Sequence, residues 1–310
     1  MKNWTKYGAV LAAGVLSAGL LTGPASAQPS GASRGTRGCG LNLGSVTASG
    51  DHRQQVISPD KAVVLDDWIV ARGLYPPGQV RLSATIWFAG GSGAGTDHRG
   101  PVIMGSTMYD TSYLTKDGSG NATQKQVTRV GPGWQVYRTL DRSTYVTATQ
   151  HRETEYSLHN DGTLYRRNVT YKNGVASRQI TGWQSGYRGV KAMTLISQTA
   201  TYDTFLMTLT SGKLYTARLP LAGGHIIPGV VKQVRNGTWQ GFESLVSAPC
   251  GFDTLLLGID RDTGSAYLYD VGHANGAATP IRMIGKMPGT YKDPVYFHFQ
   301  GDTNEHPSGD

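Results

Sequence analysis

Long apolar runs are scarce in this sequence, and none reaches the roughly 18 residues that a membrane-spanning helix needs. The longest, at residues 8–21, is rich in glycine and alanine, follows Lys2 and Lys6, and is followed by Ala-Ser-Ala at 25–27. Lysines, a short apolar stretch and small residues in this order are typical of a secretory signal peptide at 1–27. We therefore expect cleavage after Ala27 and a secreted, extracellular protein without a membrane span.

Cysteine is also scarce, since the 310 residues include only Cys39 and Cys250. Neither lies at zinc-ligand spacing from a second cysteine or a histidine, and the eight histidines include no His-Glu-x-x-His motif, so no metal or other cofactor is predicted. In an oxidising setting, one disulfide between the two cysteines is the simplest expectation, and two free thiols are the alternative. On the chain-entropy model the crosslink would contribute at most about 5 kcal/mol.

Two further absences restrict the function. No Gly-x-Ser-x-Gly motif occurs, because the segment GGSGAG around Ser92 has Ala94 where glycine is required, and this argues against a serine hydrolase. Basic residues outnumber acidic ones by 29 to 21, which would favour anionic partners, but they are scattered. Without a stripe of interleaved basic and aromatic residues, nucleic-acid binding is not predicted.

Short segments of Val, Ile, Thr, Tyr and Leu, bounded by Gly, Asn, Asp and Pro, fill most of the chain, and no long helical period is present. This pattern is typical of an all-β protein. Residues 28–38 and 302–310 lack apolar side chains of this kind, so we expect a disordered leader and a disordered tail. The folded domain is therefore predicted at 39–301.

An internal repeat defines the architecture. The segment 237–269 repeats the layout of 182–215: a Gly-Trp opening, an aromatic-Asp-Thr triplet, an apolar run and a Gly-x-Leu-Tyr or Ala-Tyr-Leu-Tyr close. From residue 237 onward, strands are predicted at 243–247, 254–259, 266–271 and 279–284, separated by turn residues. Four strands in about 50 residues, repeated, predict a β-propeller blade, a small sheet that needs neighbours on both faces.

The number of blades follows from the spacing of the glycine-aromatic openings, whose aromatics are separated by 59, 49, 56 and 52 residues. These intervals give four complete blades and a final strand at 295–299. The N-terminal strand candidates at 44–48, 55–58, 62–65 and 68–71 can pair with it, which predicts a five-bladed propeller of four-stranded antiparallel blades, closed by N- and C-terminal strands in one blade. The opening aromatics are Tyr75, Trp134, Trp183, Trp239 and Tyr291.

Two other motifs recur at about the same interval along the chain. Leu-Tyr pairs at 164–165, 214–215 and 268–269 are predicted to end the third strands. Aromatic-Asp-Thr triplets at 109–111, 202–204 and 252–254 are predicted to precede the second strands, and the region 153–156, Glu-Thr-Glu-Tyr, is a degenerate copy. We expect the recurring tryptophans to be wedges packed between blades, with stacking on a sugar ring as the alternative.

The opening GTWQGF at 237–242 and the close AYLY at 266–269 resemble the five-bladed tachylectin-2-like propellers. That resemblance covers roughly residues 75–299 and implies a lectin that performs no catalysis, with sites for N-acetylated hexosamines recurring between blades. The units of this chain are longer and less alike than the repeats of that family. Equivalent sugar sites on every blade are therefore not expected.

The aromatic-Asp pairs are the candidate ligand-binding residues, because a short acid beside an aromatic ring can accept hydrogen bonds from sugar hydroxyls. The alternative is turn chemistry, in which Asp or the following Thr caps the loop backbone. The candidates are Tyr109, Asp110, Tyr202, Asp203, Phe252 and Asp253.

The sequence thus predicts a secreted, monomeric propeller that binds carbohydrate, including anionic wall or surface glycans. A propeller glycoside hydrolase or lyase is the first alternative, with Asp66, Asp67 and Glu243 as candidate carboxylates. It would require three unlike carboxylates converging at one mouth of the axial channel. The second alternative, a protein-binding scaffold, would show a broad apolar patch.

Overall fold

A computed structural model describes residues 39–84, 87–89, 95–116, 119–172, 174–299 and 306–309. The predicted signal peptide and leader lie outside these residues. Among the described residues the helical segments are two 3-10 turns, Trp134–Val136 and Gly276–Ala278, so no described helix could cross a membrane. Strands form almost all of the remaining regular structure, as an all-β prediction requires.

The strands form five antiparallel sheets, which are the blades of a propeller. The first three strands of the described residues are β1 (Leu41–Val46), β2 (His52–Ile57) and β3 (Val64–Ala71). Blade 1 contains β4 (Val80–Ser83), β5 (Trp87–Ala89), β6 (Thr96–Met104), β7 (Thr107–Thr115) and β8 (Ala122–Pro132). Blade 2 contains β9 (Tyr137–Val146), β10 (His151–His159), β11 (Leu164–Lys172) and β12 (Val175–Gln184).

The second half of the chain continues in the same order. Blade 3 contains β13 (Val190–Gln198), β14 (Tyr202–Leu209), β15 (Leu214–Pro220) and β16 (Val230–Arg235). Blade 4 contains β17 (Ser244–Cys250), β18 (Asp253–Asp260), β19 (Ser265–Val271) and β20 (Ile281–Lys286). The last strand is β21 (Val295–His298), and it pairs with β1 to give a fifth sheet in the order β21-β1-β2-β3.

This fifth sheet closes the ring. Strand β21 runs antiparallel to β1, with His298 opposite Leu43 and Val295 opposite Val46. The predicted closure of a five-bladed ring by N- and C-terminal strands is therefore confirmed. The innermost strands of the five blades are β4, β9, β13, β17 and β21, because residues from all five line one narrow axial channel.

Each blade is buried on both faces. In β18, alternate residues belong to two different apolar clusters, since Leu255 and Leu257 pack toward the closing blade while Leu256 packs toward blade 3. All three side chains are fully buried. A near-continuous run of apolar residues, rather than strict alternation, is what a strand covered on both sides requires.

The same kind of hydrogen bond occurs in each connection between blades. After the outer strand of each blade, an aromatic residue donates its backbone N–H, at 2.9–3.0 Å, to a carbonyl in the turn between the second and third strands of the same blade. These aromatics are separated by 59, 53, 52 and 52 residues. The intervals are more even than the 59, 49, 56 and 52 residues between the predicted openings. The five donor–acceptor pairs are Tyr75–Gly50, Trp134–Ser106, Tyr187–Gly162, Trp239–Gly212 and Tyr291–Gly264.

The predicted opening at Trp183 is wrong, because Tyr187 occupies the equivalent place. Tyr187 is buried, whereas Trp183 lies inside β12, one residue before its end, with 39% of its surface exposed. Its ring stacks on that of His225 at a centroid distance of 5.5 Å. Trp134 and Trp239 are buried in inter-blade clusters as the wedge interpretation predicts. The Leu-Tyr pairs also differ from expectation, because Leu164 and Leu214 begin their third strands instead of ending them.

Two long-range links join parts of the ring that are distant in sequence. The predicted disulfide is confirmed, and it connects Cys39, just before β1, to Cys250 at the end of β17 in blade 4. Residues 306–309 lie within the predicted disordered tail, yet their backbone bridges to Gln198 and Ala274. Ser308 is buried there, so this segment is held against blades 3 and 4.

The close approach of each connection to its turn makes a prediction for Gly162. This glycine has φ +92°, and a Cβ atom there would lie 2.5 Å from the backbone nitrogen of Arg188. We expect Gly162→Ala to lower the free energy of unfolding by about 2–5 kcal/mol, from backbone strain plus overpacking. Urea denaturation measures the loss.

Gly105 provides the matched control, because it has φ +54° in a turn but nothing within 4 Å of the position that a Cβ atom would take. Gly105→Ala should cost only the strain, about 1–2 kcal/mol. Equal losses in the two variants would show that the connection does not constrain the turn.

Candidate functional site

Asp203 is an internal link between blades 2 and 3. Its side chain is fully buried. The carboxylate accepts hydrogen bonds from Ser143 Oγ at 2.8 Å, from Tyr156 Oη at 2.7 Å and from the Arg152 guanidinium at 2.9 and 3.0 Å. Because each of its two oxygens already accepts two hydrogen bonds, Asp203 has no acceptor site left for a ligand in this structure.

The other aromatic-Asp residues of blades 3 and 4 lie apart from each other. Tyr202 is half-buried, and the Arg218 guanidinium covers its ring at 3.9 Å from the centroid. Phe252 is 90% exposed at the turn between β17 and β18, and its backbone carbonyl accepts a hydrogen bond from Ser308 Oγ at 3.2 Å. Asp253 follows it as the first residue of β18. The structure therefore does not combine these residues into one site.

Asp110 has a different position from the one predicted. It lies inside β7, the third strand of blade 1, and not before a second strand. The second strand of this blade is β6, so the Tyr-Asp-Thr triplet at 109–111 is not equivalent to those of blades 3 and 4. Because side chains alternate along a strand, Tyr109 packs against an apolar cluster while Asp110 faces a cleft.

This cleft, between blades 1 and 2, is the candidate site. It has a volume of about 350 Å³, within the range of ligand pockets. Strands β6, β7 and β8 form one wall, and residues of β9, β11 and β12 form the other. The polar side chains that line it include Asp97, Arg99, Asp110, Ser112, Gln124, Gln126, Thr128, Arg142 and Tyr171.

A buried ion network fixes the two walls. The Arg178 guanidinium donates to both oxygens of Asp110, at 2.5 and 2.9 Å, and to both oxygens of Glu155, at 2.7 and 3.0 Å. Glu155 is fully buried, so the double pairing supplies the charge compensation that its burial needs. Burial by itself lowers the pKa of Arg178, but the contacts with Asp110 and Glu155 hold it well above its ordinary value.

Arg142 extends the network toward the cleft. It lies 3.0 Å from Glu153 and 3.5 Å from Glu155, and it donates to Tyr171 Oη at 2.9 Å. Tyr171 Oη in turn donates to Glu153 at 3.0 Å. Burial opposes the charge of Arg142, but Glu155, Tyr171 and Glu153 raise its pKa above the ordinary value. Burial likewise raises the pKa of Tyr171, which stays a neutral phenol at neutral pH.

The network holds the ring of Tyr171 in place at the edge of the cleft. The side chain is 46% exposed although its hydroxyl is bonded on two sides. A fixed, accessible aromatic face can cover the apolar C–H face of a sugar or another flat ligand. Asp97 and Arg99 form an ion pair of 2.5 Å among the cleft residues.

A strained residue directs one amide into the cleft wall. Gln124 has φ +50°, an uncommon value for a residue other than glycine. It lies at an irregularity between β7 and β8, since Leu114 pairs with Thr123 whereas Ser112 pairs with Gln126. Bulges of this kind re-aim side chains, and such strain is concentrated at functional sites.

The axial channel is a second concavity, with a volume of about 110 Å³. The carboxylates among its described lining residues are Asp141 and Glu243. Asp66 and Asp67 lie in β3, the outer strand of the closing blade, where Asp67 pairs with Arg53. The three carboxylates proposed for a hydrolase therefore do not converge at the axis. In the described part of the chain no group of three or more His, Cys, Asp or Glu residues could hold a metal ion.

Sequence reasoning missed Tyr171, Gln124 and Arg178. A usable indication was the break in the repeat at 153–156, because its second glutamate, Glu155, is the centre of the buried network. At this point the repeat lacks the Asp-Thr pair and has glutamates, and Glu155 forms ion pairs with Arg142 and Arg178. The partners of those charges lie in another blade and cannot be read from local spacing.

The known structures reported next are similar to this chain only at low sequence identity. No protein-family model and no curated protein matches the chain. The WD40 domain of SCAP from fission yeast is 9% identical, with a TM-score of 0.36 over 77% of this chain and 61% of that chain, so this chain spans less than two thirds of it. A mutant of the Aleuria aurantia lectin AAL, solved with Fucα1-6GlcNAc, is 17% identical, with a TM-score of 0.41 over 80% and 81%. Neither likeness identifies a ligand for this chain.

The buried network predicts a large cost for removing Arg178. Without the guanidinium, Glu155 would be buried with its main counter-ion missing and Asp110 would lose both hydrogen bonds. We expect Arg178→Ala to lower the free energy of unfolding by about 3–5 kcal/mol. Chemical denaturation followed by tryptophan fluorescence measures the change.

Arg282 is the matched control, since it also lies in an outer strand and bonds an acid, Asp270, at 3.0 Å, but has 54% of its side chain exposed. Arg282→Ala should cost at most about 1 kcal/mol. A loss at Arg178 no larger than the loss at Arg282 would contradict the assigned role of the network.

Proposed function

We propose that this protein is a secreted carbohydrate-binding propeller whose site is the cleft between blades 1 and 2. The observation that carries the proposal is the exposed ring of Tyr171, held by Arg142 and Glu153 beside a cleft of about 350 Å³. The resemblance of the segment at 237–242 to tachylectin-2-like propellers points to the same class.

The lining of the cleft suits a sugar. Carboxylate and amide groups such as those of Asp110, Gln124 and Gln126 can each bond hydroxyl groups, because they offer acceptors, donors or both in one plane. A pyranose also has an apolar face, and the ring of Tyr171 can cover it. Since the ion network fixes the walls before a ligand arrives, binding orders few side chains.

Two of the other blade boundaries are already occupied by contacts within the protein. Asp203 and Arg152 fill the boundary between blades 2 and 3 with a buried ion pair. The segment 306–309 lies against blades 3 and 4. We therefore infer one principal sugar site, and not five equivalent ones.

Tyr171 supplies the test. We expect Tyr171→Ala to weaken binding of the glycan selected by the wild-type protein on a glycan array by about tenfold or more, roughly 1.4 kcal/mol. Tyr171→Phe keeps the ring but loses the hydroxyl that Arg142 and Glu153 hold, so its affinity should lie between that of wild type and that of Tyr171→Ala. Isothermal titration calorimetry with the selected glycan measures both values.

Two further variants separate the site from the rest of the surface. Gln126→Ala changes an exposed side chain of the cleft and should weaken binding without unfolding the protein. Phe252→Ala removes an exposed aromatic of blade 4 and should leave affinity unchanged. Loss of binding in Phe252→Ala with full binding in Tyr171→Ala would place the site at blade 4. Failure of the wild type to bind any glycan would end the proposal.

A further inference from the structure

Three arginines surround one end of the axial channel. Arg81 lies in β4, Arg138 lies in β9, and Arg261 lies in the turn between β18 and β19. All three line the same channel of about 110 Å³, together with residues at the beginning of β17 and β21. The inner strands start at this end, so the structure gathers cations from three different blades at one opening.

The hydrogen bonds of these arginines orient them without neutralising them. Arg81 donates to the carbonyls of Gly105 at 2.8 Å and Trp134 at 2.9 Å. Arg138 donates to the carbonyls of Tyr187 at 2.8 Å and of the next residue at 2.9 Å. A carbonyl oxygen is a neutral acceptor, so each guanidinium keeps its full charge.

Arg261 has the same kind of partner. Its Nη1 donates to the carbonyl of Pro294 at 2.5 Å. The Nε–H groups of Arg261 and Arg138 are buried without a hydrogen-bond partner among the described residues. Arginines elsewhere in the ring, such as Arg178 and Arg152, are bonded to carboxylates instead.

The two carboxylates of the channel do not balance these charges. Glu243 is 2.5 Å from Lys191 and accepts the backbone N–H of Arg261 at 2.8 Å, so it already has its own cation. Asp141 accepts backbone N–H groups of Arg142 and Leu195, and burial raises its pKa to about 7.

Arg188 adds a further positive charge near Arg138. Burial and the neighbouring Arg188 lower the pKa of Arg138, which the charge of Asp161 offsets only in part. One carboxylate, Asp161, therefore faces two guanidinium groups, those of Arg138 and Arg188. The opening thus combines an excess of positive charge with a concave, partly buried surface.

We propose that this opening is an oxyanion-binding site, which takes a phosphate or sulfate group either as the free ion or as a substituent of a polymer. Guanidinium groups bind such oxyanions through charge-assisted hydrogen bonds in a planar geometry. The carbonyls of the blade connections hold the side chains ready, so little side-chain entropy is lost on binding. The site is separate from the cleft between blades 1 and 2 and does not depend on the function proposed for that cleft.

Calorimetric titration with inorganic phosphate and with inorganic sulfate tests the site. Charge-assisted hydrogen bonds from guanidinium groups are the strong ones, so replacing two of them should weaken anion binding by well over tenfold. We expect this loss in Arg138→Gln combined with Arg261→Gln. Arg138→Lys combined with Arg261→Lys keeps both charges and should retain a measurable part of the affinity.

Controls separate the anion site from folding defects and from the cleft. Arg282→Gln removes an exposed arginine outside the channel and should bind phosphate as the wild type does. Tyr171→Ala should also leave phosphate binding unchanged, whatever it does to glycan binding. If the double glutamine variant unfolds, the phosphate affinity of Arg261→Gln alone is compared with that of the wild type. The loss of affinity expected from one replaced guanidinium is smaller than the loss expected from two.

The source of the anion is distinguished by comparing a sulfated oligosaccharide with its desulfated parent. Tighter binding of the sulfated form, abolished in the double glutamine variant, would assign the site to a polymer substituent, whereas equal binding would leave the free ion as the ligand. No binding of either ion by the wild type at about 10 mM, or binding equal in the wild type and the double glutamine variant, would overturn the proposal.

Discussion

A four-stranded blade has two apolar faces, and only neighbouring blades on both sides can cover them. Strand β18 shows the constraint directly, because Leu255 and Leu256, adjacent in sequence, are buried in different inter-blade clusters. Such a chain is stable only as a closed ring. Pairing of β21 with β1 closes it and leaves no first or last blade with an open face. The disulfide between Cys39 and Cys250 ties the closing blade to blade 4.

The same constraint explains why a site forms where it does. Most blade boundaries are closed by apolar packing, but between blades 1 and 2 the ion network of Asp110, Arg178 and Glu155 replaces part of that packing. The cleft lies beside this network, and the exposed ring of Tyr171 borders it. The channel opening has a related origin, since its arginines hold the connections between blades and gather positive charge while doing so.

Much of the fold could be predicted from the sequence, because repetition makes a weak pattern visible several times. The number of blades and the closing blade followed from spacing, and the disulfide followed from the presence of only two cysteines. The assignment of Trp183 failed because a Gly-Trp pair looks like an opening, yet the neighbouring intervals of 49 and 56 residues were uneven. With Tyr187 in its place the intervals become 53 and 52, so regularity of spacing was the better guide.

The site was less predictable for a physical reason. Asp110 and Asp203 follow the same residue type, but one faces a cleft and the other is buried in an ion pair with Arg152. Which outcome applies depends on the position of the strand in its blade and on an arginine in the next blade. Neither is encoded within a short motif. Tyr171 and Gln124 belong to no repeated pattern, so only the assembled structure brings them together.

The most direct measurement is a crystal structure of the protein with the glycan that it binds most tightly. The account predicts a sugar ring in the cleft between blades 1 and 2, stacked on Tyr171 and hydrogen-bonded to Asp110, Gln124 or Gln126. A sugar bound instead at Phe252 or at Trp183, with the cleft between blades 1 and 2 left to solvent, would contradict it.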